Sequence, residues 1–267
     1  MDSSSSRASV GAALRFARRR IGRAVGAYGW RGAGLALANI RGGTRLRRVP
    51  VPGRRFRLEA RLGRAESDLQ TLISVFHGGD YDFLTQQPKW VIDAGANAGY
   101  SAVWFADRYP EAQVIAVEPD PGNFELLRRN TAGWANVTVV KAALMGYDGD
   151  AQLVDPLKGP WAIRVQREAA PWSQGRVGPS VRCATVESLL TRFQIPRIDL
   201  LKLDIEGSEV DMLTDCDAWI PRVEAVVAEL HDRFRVGCSA AFEQATASFP
   251  IRRARGENVF VSRGSDG

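Results

Sequence analysis

Apolar residues recur along this chain at two spacings, and those spacings predict its elements. From Val10 the apolar positions Val10, Leu14, Ala17, Ile21, Val25 and Tyr28 return at steps of three or four. Arg15, Arg18, Arg19 and Arg23 fall between them, so residues 10–28 read as an amphipathic helix with a basic face. Residues 1–9 are serine-rich and carry too little apolar surface for a fixed fold. Residues 40–64, rich in Arg and Gly with Pro50 and Pro52, read as a linker holding one or two short strands. A helix is expected over Ser67–Phe76. Short apolar runs and helical stretches then alternate: strand Trp90–Asp93, helix Tyr100–Tyr109 stopped by Pro110, strand Val114–Val117, a helix from Pro121 to Asn130 capped by Asp120, and strand Val137–Val140. Crossovers of this length join parallel strands.

Beyond Ala143 the pattern loosens. Asp148-Gly149 is a turn, Gln152–Val154 a short strand, residues 155–179 a long loop bearing Gly, Pro and Trp, and Ser180–Cys183 is extended. Thr185 caps a helix to Phe193, and Ile198–Leu203 is a strand ending at Asp204. Gly207 turns the chain and Ser208 starts a helix. Ala225–Leu230 is a strand ending near His231, residues 239–248 are helical, and Ile251–Ala254 with Val259–Val261 forms a hairpin around Gly256. The expected organisation is an α/β domain over residues 65–267, preceded by a basic segment over residues 1–64.

Composition narrows the classes. The 267 residues are 45% hydrophobic and 25% charged, which suits a folded domain with a full core. No apolar run is long enough to span a bilayer. Cys183, Cys216 and Cys238 are scattered and odd in number, which argues against a disulfide scaffold or a CxxC zinc site and fits a cytoplasmic setting. The net charge of +6 is uneven. Residues 1–64 hold 16 Arg, no Lys and 2 acids, a net of +14, and the remainder carries −8. The basic pI therefore belongs to the amino-terminal segment, and a nucleic-acid partner is not expected. With 32 Arg against 4 Lys in the whole chain, arginine usage alone accounts for the transit-peptide-like composition of that segment. Its helix either packs against the rest of the protein or makes peripheral membrane contact through residues 10–28.

The first parallel strand ends in Asp93 and feeds Gly95-x-x-x-Gly99 ahead of a helix. Glycines there let the backbone approach a ligand. The spacing is not G-x-G-x-x-G and no P-loop occurs, which disfavours an NAD-dependent oxidoreductase. The second strand ends in Glu118, placed to accept bonds from both hydroxyls of a ribose. An acid before the glycine turn repels a pyrophosphate but suits the ammonium and sulfonium of S-adenosylmethionine.

Three runs carry a family resemblance: Val91-Ile92-Asp93-Ala94-Gly95-Ala96-Asn97-Ala98-Gly99, Val117-Glu118-Pro119, and Leu201-Lys202-Leu203-Asp204-Ile205-Glu206-Gly207-Ser208-Glu209. Over residues 70–262 the chain resembles the FkbM family of S-adenosylmethionine-dependent methyltransferases, of which K-x-D-x-E-G-x-E is the most specific mark. Asp80-Tyr81, Asn130, Thr185-Val186-Glu187 and Glu229-Leu230-His231 are lesser matches. Asp80 and Glu187 stand where the family usually has Glu and Asp. The resemblance implies a class I methyltransferase (Rossmann-like) α/β fold, with helices on both faces of a seven-stranded, mostly parallel sheet in order 3-2-1-4-5-7-6. It also implies O-methylation of a hydroxyl on a sugar, glycan or secondary metabolite.

The loops after Asp93, Glu118, Ala143, Asp204 and Glu229 converge at the carboxyl edge of such a sheet. Asp93, Gly95, Asn97, Gly99, Tyr100, Ser101, Glu118, Pro119, Ala143 and Asp204 are the expected donor contacts. His231, by its ordinary pKa, suits a general base, with Asp204 and Glu229 as its catalytic neighbours. Lys202, inside a strand, needs a carboxylate partner, expected to be Glu229 or Glu206. Tyr81, Lys202, Glu206, Trp161 and Trp172 are expected to face the acceptor, and the two tryptophans serve equally well as a lid core. Asp204 can bind the methionine ammonium, orient the acceptor, or share a divalent cation with Glu206 and Glu229. Carboxylate spacing alone does not support that cation. Glu209 reads as a helix-terminus charge and His77 as a surface group. The rival reading is a catalytically weak ligand-binding or membrane-surface assembly protein on the same fold.

Overall fold

The computed structural model describes residues 18–40, 43–63, 67–85, 87–157, 162–167 and 174–264. The chain divides into two units, one ending at Gly79 and one beginning at Asp80. In the first, residues 18–28 (α1) are helical with Arg18, Arg19 and Arg23 exposed and Ala24 buried; residues 10–17 of the expected helix lie outside the described residues. Gly29, at φ +61°, turns the chain into α2 (Trp30–Ile40). A Cβ on Gly32 would meet the carbonyl oxygen of Ala24 at 1.9 Å, so glycine permits the helices to touch backbone to backbone.

The segment read as a linker is an antiparallel hairpin, β1 (Arg45–Pro50) with β2 (Arg57–Leu62). Leu58, Ala60 and Leu62 alternate inward on β2, a pattern masked in the sequence by its many arginines. α3 (Asp68–Ile73) runs on as a π-helical turn, Ser74–Gly78, where a longer α-helix was expected. Asp68 accepts from the Arg61 guanidinium at 2.9 and 2.8 Å and from the Arg61 backbone N–H at 2.7 Å. That forked pair ties α3 to β2. α3 thus belongs to the unit that ends at Gly79, whereas arginine density drops after Arg64.

The second unit carries the expected alternation. β3 (Trp90–Ala94), α4 (Tyr100–Arg108), β4 (Gln113–Val117), α5 (Pro121–Thr131) and β5 (Val137–Val140) follow in turn. Asp120 caps α5 by accepting the Asn123 N–H at 2.8 Å. After β6 (Ala143–Leu144), β7 (Gly149–Asp155), β8 (Arg164–Gln166) and β9 (Arg176–Ala184) come α6 (Val186–Arg192), β10 (Leu200–Leu203), α7 (Glu209–Leu213), β11 (Ala225–Glu229), α8 (Cys238–Ala245), β12 (Ile251–Arg255) and β13 (Asn258–Ser262). The main sheet runs β5-β4-β3-β10-β11-β13-β12, parallel from β5 to β11, with β13 antiparallel to both neighbours. Counted within the sheet this is 3-2-1-4-5-7-6, the order of a class I methyltransferase. Ile92, Ile115, Leu201 and Val226 meet Leu189 of α6, Met212 of α7 and Phe242 of α8 on one face. Asp93, on the opposite face, meets Ser101 of α4. Helices thus cover both faces, and the order reverses between β3 and β10, the kind of switch point at which such sheets bind ligands.

The region read as a long loop is a second sheet, in order β6-β9-β7-β8. β9 starts at Arg176 and takes in the last four residues of the expected loop. Its register on β7 shifts between Gln152 and Val154, opposite Gly178 and Pro179. Proline cannot donate to the ladder, and a bulge absorbs it. This hides the strand from a period-two search. Trp161 and Trp172 lie outside the described residues.

Candidate active site

Parallel pairing sets Lys202 of β10 beside Asp93 of β3. Lys202 Nζ lies 3.1 Å from Asp93 Oδ1 and 3.6 Å from Asp204 Oδ2, and donates to the carbonyls of Ala94 at 3.2 Å and Gly95 at 2.8 Å. The partner expected for Lys202, Glu229 or Glu206, is thereby corrected. On the β11 side Lys202 faces Val227, and its carboxylates are Asp93 and Asp204. Burial opposes its charge, but Asp93, Asp204 and Tyr81 outweigh burial and hold the ammonium above its usual pKa. Ser101 Oγ donates to Asp93 Oδ2 at 2.6 Å. Tyr81 is buried against Trp104 and Phe105, ring centroids 5.4 and 5.1 Å away, and burial raises its phenol pKa. Lys202 and Tyr81, both expected to face the acceptor, are buried in this structure.

The turn has positive φ at Gly95 (+74°), Asn97 (+48°) and Gly99 (+88°). A Cβ on Gly95 would lie 1.8 Å from the carbonyl oxygen of Asp204, and one on Gly99 would lie 2.8 Å from Leu127 Cδ1. The space at each glycine is thus taken by the chain itself, a reason for glycine different from ligand approach. Glu118, just past β4, is buried. Its Oε2 accepts the Asn97 N–H and its Oε1 the Asp120 N–H, both at 2.9 Å. Burial outweighs these bonds and pushes its pKa up to about 7. Asn130 Nδ2 closes the turn by donating to the Ala98 carbonyl at 2.8 Å. Tyr100 and Ser101 occupy the first turn of α4, Pro119 follows Glu118, and Ala143 pairs with Cys183 in the second sheet.

At the carboxyl ends of β10 and β11 four carboxylates surround one imidazole. His231 is fully buried. Its Nδ1 donates to Glu209 Oε1 at 2.7 Å, and its Nε2 lies 3.4 Å from Glu229, 3.6 Å from Asp204 and 3.7 Å from Glu206. Cys238 Sγ donates to the other Glu209 oxygen at 3.3 Å. Glu209, read from sequence as a helix-terminus charge, is wholly buried and orients His231. Nothing in the linear pattern distinguishes it, because α7 is a five-residue helix whose buried side the tertiary fold decides. Burial pulls the His231 pKa down, but Glu209, Glu229 and Asp204 outweigh burial and push it to about 11. The general base expected at His231 thus stands among four carboxylates that favour its protonated form. Burial and Asp204 push Glu206 up to about 8. Glu229 is shared with Arg233 at 3.0 Å, and the Asp204 side chain, 35% exposed, is the most open group of the cluster.

Residues 93–245 match the methyltransferase FkbM domain, more than half of the chain. The chain belongs to the FkbM methyltransferase family. The matched stretch runs from Asp93 through Glu118, Asp204, Glu209 and His231, and so includes every acid of the cleft. This FkbM-family chain is 27% identical over 156 residues to methyltransferase sdnD of Sordaria araneosa, covering 48% of this chain and 60% of that protein. It is 23% identical over 141 residues to hexuronic acid methyltransferase AglP of Haloferax volcanii, covering 52% and 54%. The match spans less than two thirds of either relative. Among solved structures, a methyltransferase FkbM from Methylobacillus flagellatus superposes with a TM-score of 0.45 at 12% identity, covering 68% of this chain and 45% of that one.

Proposed function

We propose that this protein transfers a methyl group from S-adenosylmethionine to a hydroxyl of a sugar, glycan or secondary metabolite. The observation that carries the reading is Glu118, a carboxylate pinned at the tip of β4 by two backbone N–H groups, beside a tight turn on the neighbouring strand. Oε2 spends one lone pair on the backbone and keeps capacity for a ribose hydroxyl, whereas Oε1 also accepts from Asn123 Nδ2 at 3.5 Å. The other acid of the cleft edge, Asp204, suits the methionine ammonium or the acceptor. S-adenosylmethionine supplies an electrophilic methyl on a positively charged sulfur that departs as a neutral thioether.

The chain's own residues then serve alignment. The ion pair of Asp93 and Lys202 holds the turn at Gly95 against β10. Glu209 fixes His231, and His231 in turn draws Asp204, Glu206 and Glu229 together. Asp204, the exposed member, accepts the acceptor's hydroxyl hydrogen bond and takes its proton as the methyl transfers. Tyr100, Ser101, Pro119 and Ala143 belong to this reading as nearby backbone and wall groups. The Haloferax relative, named for a hexuronic acid, supports a sugar acceptor. The test is incubation with S-adenosylmethionine bearing a deuterated methyl, plus panels of uronic-acid glycosides and hydroxylated secondary metabolites. Mass spectrometry should find a labelled methyl ether. Transfer only to amines, or none from a protein that binds the donor, would contradict the reading.

A second property is favoured by one feature of the first unit. Trp30 is 89% exposed, and Arg18, Arg19 and Arg23 are exposed on the preceding helix. An aromatic and a cluster of cations suit the surface of an anionic bilayer. Among the described residues no helix is long and apolar enough to cross one.

A further inference from the structure

We infer that Asp204, Glu206 and the Nε2 atom of His231 bind a divalent first-row metal ion at the carboxyl edge of β10 and β11. His231 is fully buried, and its Nε2 has no hydrogen-bond partner. A polar atom shut away from water without a partner costs free energy. This one points into carboxylates: oxygens of Glu229, Asp204 and Glu206 lie 3.4, 3.6 and 3.7 Å from it. Glu206 Oε2 is likewise buried without a hydrogen-bond partner. One ligand atom from each of Asp204, Glu206 and His231 falls within 4.8 Å of the others. Two ligands each about 2.1 Å from a metal, at tetrahedral or octahedral angles, lie about 3.0–3.5 Å apart. The cluster is therefore slightly wider than a closed coordination sphere.

The surroundings fit the same occupant. Glu209 engages Nδ1 at 2.7 Å, so a proton retained there leaves the Nε2 lone pair facing the carboxylates. A buried carboxylate behind the distal nitrogen is the usual support of a metal-bound histidine. Arg233 already pairs with Glu229 at 3.0 Å, and Lys202 lies 3.6 Å from the far oxygen of Asp204. Asp204 Oδ1 and Glu206 therefore remain to face His231. One imidazole nitrogen with carboxylate oxygens suits Mn²⁺, Fe²⁺ or Zn²⁺ better than Ca²⁺ or Cu⁺. The exposed side of Asp204 leaves room for an acceptor oxygen beside the ion. That use of the ion rests on the methyl-transfer reading, whereas the binding itself does not.

The test is Mn²⁺ titration of chelator-stripped protein, read by loss of the free-ion electron paramagnetic resonance signal. One ion per chain is expected. His231→Gln and Glu206→Gln should each weaken it by at least about tenfold, and Glu209→Gln by about 10–100-fold. Glu125→Gln, on the outer side of α5, should leave it unchanged. Mn²⁺ should also raise the melting temperature of the wild type and of Glu125→Gln but not of His231→Gln, whose folding is checked by circular dichroism. Should His231→Gln not fold, Glu206→Gln carries the same comparison. Wild-type protein that takes up no Mn²⁺ at millimolar concentration, or ligand variants that bind it as tightly as wild type, would overturn the inference. S-adenosylhomocysteine titrated into the same metal-free samples reads the donor site separately. Intact donor binding without Mn²⁺ uptake refutes the metal site alone, and the converse refutes the donor reading alone.

Discussion

Replacing Lys202 with methionine isolates the interaction that joins the glycine turn after β3 to the end of β10. Methionine keeps the aliphatic stem and removes the ammonium. Asp93 would then be a fully buried carboxylate that retains only the Ser101 hydroxyl at 2.6 Å, and the Ala94 and Gly95 carbonyls would lose their shared donor. Removing one member of a buried ion pair costs about 3–5 kcal/mol. With a urea slope of about 2 kcal/mol/M, the unfolding midpoint should fall by roughly 1.5–2.5 M. Tryptophan fluorescence reports the second unit, because every tryptophan except Trp30 follows Asp80 in the chain. The double variant Lys202→Met/Asp93→Asn removes both charges and should recover most of the loss, since a neutralised pair no longer strands a charge in the core. A midpoint shift under about 0.5 M in the single variant, or a double variant no more stable than the single, would refute the reasoning.

Three further outcomes follow from the same geometry. Gly95→Ala should abolish stable folding or donor binding, because its Cβ would sit 1.8 Å from a backbone oxygen; thermal melting and calorimetry near wild-type values would contradict the turn geometry. Glu118, with a pKa of about 7, is largely protonated at pH 6 and largely ionised at pH 8. If the carboxylate is the binding form, S-adenosylhomocysteine affinity should rise about tenfold over that range, and a flat profile, or the same rise in Glu118→Gln, would contradict it. Arg18→Gln/Arg19→Gln/Arg23→Gln should weaken co-sedimentation with phosphatidylserine vesicles by about 100-fold, at about 1 kcal/mol per arginine, and an unchanged bound fraction would remove the membrane-surface property.

Local chemistry made much of the sheet legible. The apolar runs ending in Asp93, Glu118 and Asp204 are buried parallel strands, and buried parallel strands read as apolar runs with a change of character at their tips. Asp120 and Thr185 cap the helices that their side chains predict. Relations that depend on register or on a third element were hidden. The partner of Lys202 is set by which residue faces it across the sheet. The role of Glu209 is set by α7 turning that residue inward onto a strand 22 positions away. The shift at His231 arises from carboxylates gathered from β10, α7 and β11, none close to it in the chain except Glu229. The second sheet escaped notice because β8 is three residues long and Gly178-Pro179 interrupts the alternation of β9.

Glu118 at the end of β4 is proposed to receive the adenosyl group of a methyl donor. Calorimetric titration of S-adenosylhomocysteine into wild type and Glu118→Ala, with melting curves on both, is the decisive experiment. Saturable binding to wild type is expected, with loss of binding in a variant that still melts cooperatively. No heat with wild type at millimolar ligand, or equal affinity in the two proteins, would contradict it.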